Sequence, residues 1–245
     1  MAGTCTVVIP TFNEEGNIAN MAKTLRELYP DFEVVFMDDN SKDRSKELIE
    51  ALGDPKVRIV VRDPQDRGLS ASIFQGIAEC KTDYFMVMDC DFQHPPSVLG
   101  PMYKELENGA DMVIGNREDR FALGFIRWLG SWVFTIFANL YLFWHRKTLS
   151  KDCMSGLFGG RAEIISPIIR ENYDQMERQG WKALLDILKF GPKGMKIANV
   201  KYKFGKRAEG ESKMNPKIVL HTFNQLGFWG RFCMKVYGGL KGTKL

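Results

Sequence analysis

Tyr84-Phe85-Met86-Val87-Met88-Asp89-Cys90-Asp91-Phe92-Gln93-His94-Pro95-Pro96 joins a continuous apolar run to an acidic segment stopped by two prolines. Residues 84–88 read as a strand buried on both faces. Similar runs lie at 4–9, 33–37, 57–61 and 112–114, and amphipathic stretches at 14–28, 43–52, 69–79 and 97–107 separate them. This alternation predicts βαβ units, hence an α/β fold on a mostly parallel sheet flanked by helices. Such sheets bind ligands beyond the carboxyl ends of their strands, so the residues just after each strand are the candidates for chemistry.

In extended chain, residues i and i+2 point the same way, which puts Asp89 and Asp91 on one side. Two hard oxygen ligands there suit Mg²⁺ or Mn²⁺ and leave positions for water and phosphate oxygens. Gln93 continues the series with a carbonyl oxygen, whereas His94, set between Gln93 and two prolines, reads as a hydrogen-bonded turn residue. Asp38-Asp39-Asn40-Ser41 ends the second strand and offers acceptors to a base or a ribose hydroxyl. The same residues would build a turn into an Asp43-capped helix. After the third strand, Arg67-Gly68-Leu69-Ser70-Ala71 provides an arginine for a base or phosphate and a glycine for close backbone approach. The first strand ends in Pro10-Thr11-Phe12-Asn13-Glu14-Glu15, where a dinucleotide fold needs glycines. Two carboxylates there would repel pyrophosphate, which argues against a nicotinamide or flavin enzyme, and no Walker A loop occurs.

The 245 residues, 44% hydrophobic and 26% charged, are those of a folded globular chain. The net charge of +4 is unevenly spread: thirteen Lys/Arg and two Glu lie from Lys189 onward, against 21 basic and 28 acidic residues before it. A basic tail on an acidic body points to an anionic partner. No nucleic-acid-binding pattern accompanies it, so a membrane surface is expected instead. Residues 121–144 hold one charge, Arg127, with Trp128, Trp132, Tyr141 and Trp144 spread through them and His145-Arg146-Lys147 following. Residues 121–147 are expected to form a helix at the membrane interface; a buried core helix is the alternative. A second basic amphipathic segment is expected within 216–245, after a catalytic domain over 1–215. Five scattered cysteines without a C-x-x-C pair read as reduced thiols with no zinc site. Met1 to Thr6 runs straight into Val7-Val8-Ile9, so no secretory leader is expected.

V-V-I-P-T-F-N-E-E at 7–15, D-D-N-S-K-D at 38–43, R-G-L-S-A at 67–71 and D-C-D-F-Q-H-P-P at 89–96 together resemble a family 2 glycosyltransferase of the GT-A fold. Beyond that half, Gly115-Asn116-Arg117 is similar to the G-S-R element of polyprenyl-phosphate glycosyltransferases. D-C-M-S-G at 152–156 resembles their D-x-x-S-G element, and K-R-A-E-G-E-S-K at 206–213 their R-x-x-G-x-S-K stretch. The resemblance covers about residues 4–215 and is closest to the dolichol-phosphate mannose synthase group. Ser70 stands where glycine is common and Asn116 where serine is, and neither change removes a charge.

The resemblance implies metal-dependent, inverting transfer of one sugar from a nucleotide diphosphate sugar to a dolichyl or polyprenyl phosphate. Asp89, Asp91 and Gln93 would hold Mg²⁺ or Mn²⁺; Pro10, Asn13, Glu14, Asp39 and Arg67 would line the nucleotide pocket with Asp89 and Gln93. Arg117, Arg207, Ser212 and Lys213 would hold the acceptor phosphate, with Asp91, Arg117, Arg207 and Lys213 the catalytic set. GDP-mannose is the favoured donor, with UDP-glucose or UDP-N-acetylglucosamine as alternatives; the reading from another class is an inactive membrane-surface binder. The implied place is the cytoplasmic face of a membrane, peripheral or monotopic, with an anchoring subunit or a further C-terminal transmembrane domain as partner.

Overall fold

The computed structural model describes residues 3–118, 125–180 and 182–205, with side chains over 125–133 outside the description. Seven strands form one sheet in the order β3-β2-β1-β4-β6-β5-β7. They are β1 (Cys5–Thr11), β2 (Glu33–Asp38), β3 (Val57–Val61), β4 (Tyr84–Val87), β5 (Met112–Arg117), β6 (Phe158–Arg161) and β7 (Ile197–Tyr202). Only β6 runs antiparallel to its neighbours β4 and β5 among these pairings. The chain adds β2 and β3 on one side of β1, then crosses to place β4 on the other. That reversal opens a crevice at the carboxyl ends of β1 and β4.

Helices cover both faces. Val7, Ile9, Val34, Phe36 and Met86 pack against Ile18, Met21 and Leu25 of α1 (Ile18–Leu28) and Leu99, Met102 and Leu106 of α4 (Leu99–Glu107). The alternate residues Val8, Val35, Met37, Phe85 and Val87 face the opposite layer. That layer comprises α3 (Leu69–Ala78), α6 (Ala162–Asn172), α7 (Ala183–Phe190) and the buried stripe of α5 (Phe125–Trp144). The two-residue period of a strand sends neighbours to opposite cores, which is why the strands read as unbroken apolar runs.

Three helices are shorter than expected. Residues 14–17 form a turn in which Glu14 carbonyl accepts from the amides of Asn17 and Ile18, so α1 starts at Ile18. The Asp43 carboxylate reaches the amides of Glu15 and Ser45, so α2 (Ser45–Glu50) starts two residues late. Residues 97 and 98 belong to a short 3-10 turn ahead of α4. The cysteines Cys5, Cys80, Cys90 and Cys153 are buried and unbridged.

The face of α5 is split. Phe134, Ala138 and Leu142 are buried, and Lys147 Nζ donates to the carbonyl of Gly191 at the end of α7. Ile136, Phe137, Leu140, Phe143 and Trp144 face outward, Trp144 being 84% exposed. The helix is therefore not a core helix wrapped on all sides. No helix among the described residues is long and apolar enough to cross a membrane.

Candidate active site

The loops after β1 and β2 are tied together by short polar side chains. Asn13, at a φ of 50°, donates its amide to Ser41 Oγ at 2.7 Å, and its own Oδ1 accepts from the Lys42 amide at 2.9 Å. Glu14 donates its amide to Ser45 Oγ at 3.1 Å and accepts from Asn17 Nδ2 at 3.0 Å. Asp38 accepts from both the amide and the hydroxyl of Ser41, which makes it a turn-former. Pro10 lies on β1 in register with Met37.

Asp39 is braced by an arginine that sequence reading passed over. Arg62 Nη1 donates to Asp39 Oδ1 at 2.6 Å, and the Gly68 amide donates to Asp39 Oδ2 at 2.9 Å. The Arg62 side chain is fully buried and also donates to Gln75, Ser72 and the carbonyl of Asp66. Burial pushes the Asp39 carboxyl above its ordinary value, with Arg62 and the Gly68 amide opposing the rise. Arg67 is exposed and sits 4.6 Å above the Phe12 ring, available to a base or phosphate. Gly68 differs from expectation. A methyl group on it would come within 2.3 Å of the Arg178 carbonyl, so its close approach is to residue 178 of its own chain. The carbonyls of Arg178 and Gly180 then accept the amides of Ala71 and Ser70 at the start of α3.

On the other side of the crevice the strand ends sooner than alternation requires. β4 stops at Val87 and the chain turns through 90–94, with Phe92 at a φ of 61°. The extended i, i+2, i+4 series that aligned Asp89, Asp91 and Gln93 therefore does not hold as a reason for grouping them. The turn itself keeps them adjacent: Asp91 Oδ1 accepts the Gln93 amide at 3.1 Å, and the Asp89 amide donates to His94 Nδ1 at 3.3 Å. The Asp89 side chain is 43% exposed and Asp91 is buried. No group of three or more His, Cys, Asp or Glu able to hold a metal occurs among the described residues. Two carboxylates at a crevice nonetheless fit Mg²⁺ or Mn²⁺, which take one or two carboxylates and complete their shell with water and substrate phosphate. His94 is the turn residue expected. It is fully buried between Tyr202 and Phe204, and burial pulls it down to about 3, with Arg117 adding to the effect, so it is a neutral imidazole.

Arg117 ends β5 and lies 4.0 Å above the Phe204 ring. Its Nε has no hydrogen-bond partner among the described residues, and no ion pair of Arg117 occurs among them. The 152–156 turn completes this corner. Asp152 Oδ1 accepts the Met154 amide at 2.9 Å, and Ser155 Oγ donates to the Gly115 carbonyl at 2.7 Å. Lys182, also missed in the sequence, is 7% exposed and donates Nζ to the Met154 carbonyl at 2.6 Å. Burial pulls its ammonium down to about 8; Arg117 adds to the fall, and Asp152 and Asp89 oppose it. Arg207, Ser212 and Lys213, and the expected segment 216–245, lie outside the described residues.

The chain is similar to several known proteins. Residues 6–168 match the model of Glycosyl transferase family 2. A dolichol-phosphate mannosyltransferase of Saccharomyces cerevisiae is 31% identical over 90% of this chain and 84% of its own length. One of Pyrococcus furiosus is 32% identical over 90% of this chain, which spans 62% of that protein. Among solved structures, glucosyl-3-phosphoglycerate synthase of Mycobacterium tuberculosis superposes with a TM-score of 0.59 over 92% of this chain and 80% of that one, at 17% identity. That likeness carries the GT-A fold. With paired carboxylates just after β4, Arg117 ending β5, Lys182 just before α7, and a family match running from β1 into α6, the chain belongs to glycosyl transferase family 2.

Proposed function

We propose that this glycosyltransferase moves a single sugar from a nucleotide diphosphate sugar to the phosphate of a membrane polyprenol. The observation that carries this reading is the pair Asp89 and Asp91 just after β4 beside Arg117 at the end of β5. GDP-mannose to dolichyl phosphate is the preferred pair, supported by the mannosyltransferase names of relatives matched over most of this chain. UDP-glucose is the second choice, since shorter matches include a bactoprenol glucosyl transferase of Shigella phage SfV, 36% identical over 46% of this chain.

Asp89 and Asp91, with Gln93, would hold Mg²⁺ or Mn²⁺; when bound, the ion offsets charge on the departing nucleoside diphosphate. Asn13, Glu14, Asp39 and Arg67 border the nucleotide side. The acceptor is a phosphate monoester with a second pKa of about 6, so it is already anionic at neutral pH and needs no strong base. Arg117, together with Arg207, Ser212 and Lys213, would orient that phosphate for in-line attack on the anomeric carbon. The sugar–phosphate C–O bond to the nucleotide breaks as the new one forms, which inverts the anomeric centre.

The outward residues Ile136, Phe137, Leu140, Phe143 and Trp144, with Arg146 exposed beside them, suit a helix lying in the headgroup region at the cytoplasmic face of a membrane. The basic residues from Lys189 onward supply attraction to anionic lipid. An anchoring subunit or a C-terminal transmembrane domain is compatible with the Pyrococcus relative's greater length.

The test is transfer from labelled GDP-mannose, UDP-glucose and UDP-N-acetylglucosamine to a short polyprenyl phosphate in detergent with Mn²⁺ or Mg²⁺. One lipid-linked monosaccharide, abolished by EDTA, is expected. Donor hydrolysis without a lipid product, or transfer that survives EDTA, would overturn the acceptor or the metal assignment respectively.

A further inference from the structure

Lys182 occupies an expensive position. It is 7% exposed, it precedes the first residue of α7, and Arg117 is a neighbouring like charge, only partly offset by the carboxylates of Asp152 and Asp89. Desolvating an ammonium costs several kcal/mol, and the N-terminal end of a helix is the unfavourable end for a cation. A methionine would fill the same volume without either cost. Retention of the charge calls for something that methionine does not provide.

The ammonium donates to the Met154 carbonyl at 2.6 Å. Met154 lies in the 152–156 turn, whose far side touches the carboxylate corner. A methyl group on Gly156 would stand 3.5 Å from Asp89 Oδ2 and 3.4 Å from the His94 ring. Ser155 fastens the turn to β5 through the Gly115 carbonyl. Lys182 fastens it from the other side, and the residues just before Lys182 grip the nucleotide side. The Arg178 and Gly180 carbonyls hold the amides of Ala71 and Ser70, next to Gly68, whose amide binds Asp39.

We propose that Lys182 is a positioning residue for the transfer reaction, holding the 152–156 turn against Asp89, close in sequence to Arg178 and Gly180, whose carbonyls hold the start of α3 beside the Gly68 that supports Asp39. The activity arm of this proposal rests on the glycosyltransferase reading above, whereas its structural arm does not. Lys182 works through backbone that borders the site, so its loss disturbs alignment of donor and acceptor more than it disturbs donor binding.

The experiment compares the wild-type chain with Lys182→Met. Amide hydrogen exchange at residues 153–156, without substrate, is expected to quicken about tenfold or more in the variant as the turn loses its pin. In the transfer assay kcat should fall about 100-fold, the scale of a small misplacement. The Kd for GDP or UDP with Mn²⁺, measured by calorimetry, should change less than about threefold. Unchanged exchange, or kcat within about threefold of wild type, overturns the proposal. So does a loss of kcat matched by an equal loss of nucleotide affinity. If the wild-type chain makes no lipid-linked product with any donor, the functional reading fails and the exchange comparison still decides the role of Lys182. Should Lys182→Met not fold, Lys182→Ala, which likewise has no side-chain donor for the Met154 carbonyl, takes its place in every comparison.

Discussion

At the carboxyl ends of β1, β2 and β3 the polar groups answer one another: Asn13 with Ser41 and Lys42, Asp39 with Arg62 and Gly68, Asp66 with Gln75, Tyr173 and Arg178. At the ends of β4, β5 and β7 the pattern is different. Asn116 Oδ1, Arg117 Nε and His94 Nε2 are buried with no hydrogen-bond partner among the described residues. Buried polar atoms are satisfied in the great majority of cases, and exceptions gather where a ligand, ion or water belongs. The corner at β1, β2 and β3 is thus held together by its own side chains. The corner at β4, β5 and β7 keeps buried polar atoms without partners among the described residues.

Asp91→Ala tests the second corner hardest. Turnover should fall roughly 10³-fold or more, as when a preorganised electrostatic group is removed, while the melting temperature stays near that of the wild type. Retained activity would remove the carboxylates from the reaction. Arg62→Met tests the first corner through stability. Breaking a buried ion pair from one side typically costs about 3–5 kcal/mol, so the urea midpoint should drop sharply and the donor KM should rise. A small change in midpoint would mean that Asp39 is held by the Gly68 amide alone.

Arg117→Lys separates the corners. The lysine keeps a charge but loses the planar stack on Phe204, so kcat should fall about tenfold to 100-fold with little loss of stability or donor affinity. An equal loss of donor affinity would place Arg117 on the nucleotide instead. The smallest effect belongs to Tyr173→Phe, which removes a hydroxyl bonded to Asp66 and Gln75 and should cost about 1 kcal/mol. Burial and Asp66 push Tyr173 from its ordinary value of 10.0 up to about 12. The folded chain then keeps a proton that the unfolded chain gives up, so this contribution is full below pH 10 and fades as pH rises toward 12. Urea titrations across that range should show a shallower decline in the phenylalanine variant.

β1, β2, β4 and β5 were legible because burial on both faces leaves few polar positions to confuse the period, and β3, at the sheet edge with Arg58 exposed, because its other four residues are valine and isoleucine. β6 was not, because Phe158-Gly159-Gly160-Arg161 is four residues long and half glycine. Asp89 and Asp91 could be named because they directly follow an apolar strand, and Arg117 because Gly115-Asn116-Arg117 resembles the G-S-R element. Arg62 occupies the same kind of place after β3, but its role depends on Ser72 and Gln75 folding back over it from α3. Lys182 was equally hidden: its partner, Met154, is 28 residues away and contributes a main-chain oxygen. Such pairings carry no residue-type pattern along the chain.

The antiparallel strand β6 also acts as a spacer. It separates β4, which leads to the carboxylates, from β5, which ends in Arg117. Two interstrand steps of about 4.8 Å set those strands about 10 Å apart, roughly the reach across a diphosphate flanked by its counter-charges. A methyl group on Gly159 would meet Met86 Sδ at 2.4 Å and the Phe85 carbonyl at 2.6 Å, and one on Gly160 the Asp111 carbonyl at 3.1 Å. The close seating of β6 between β4 and β5 therefore depends on two residues with no side chain.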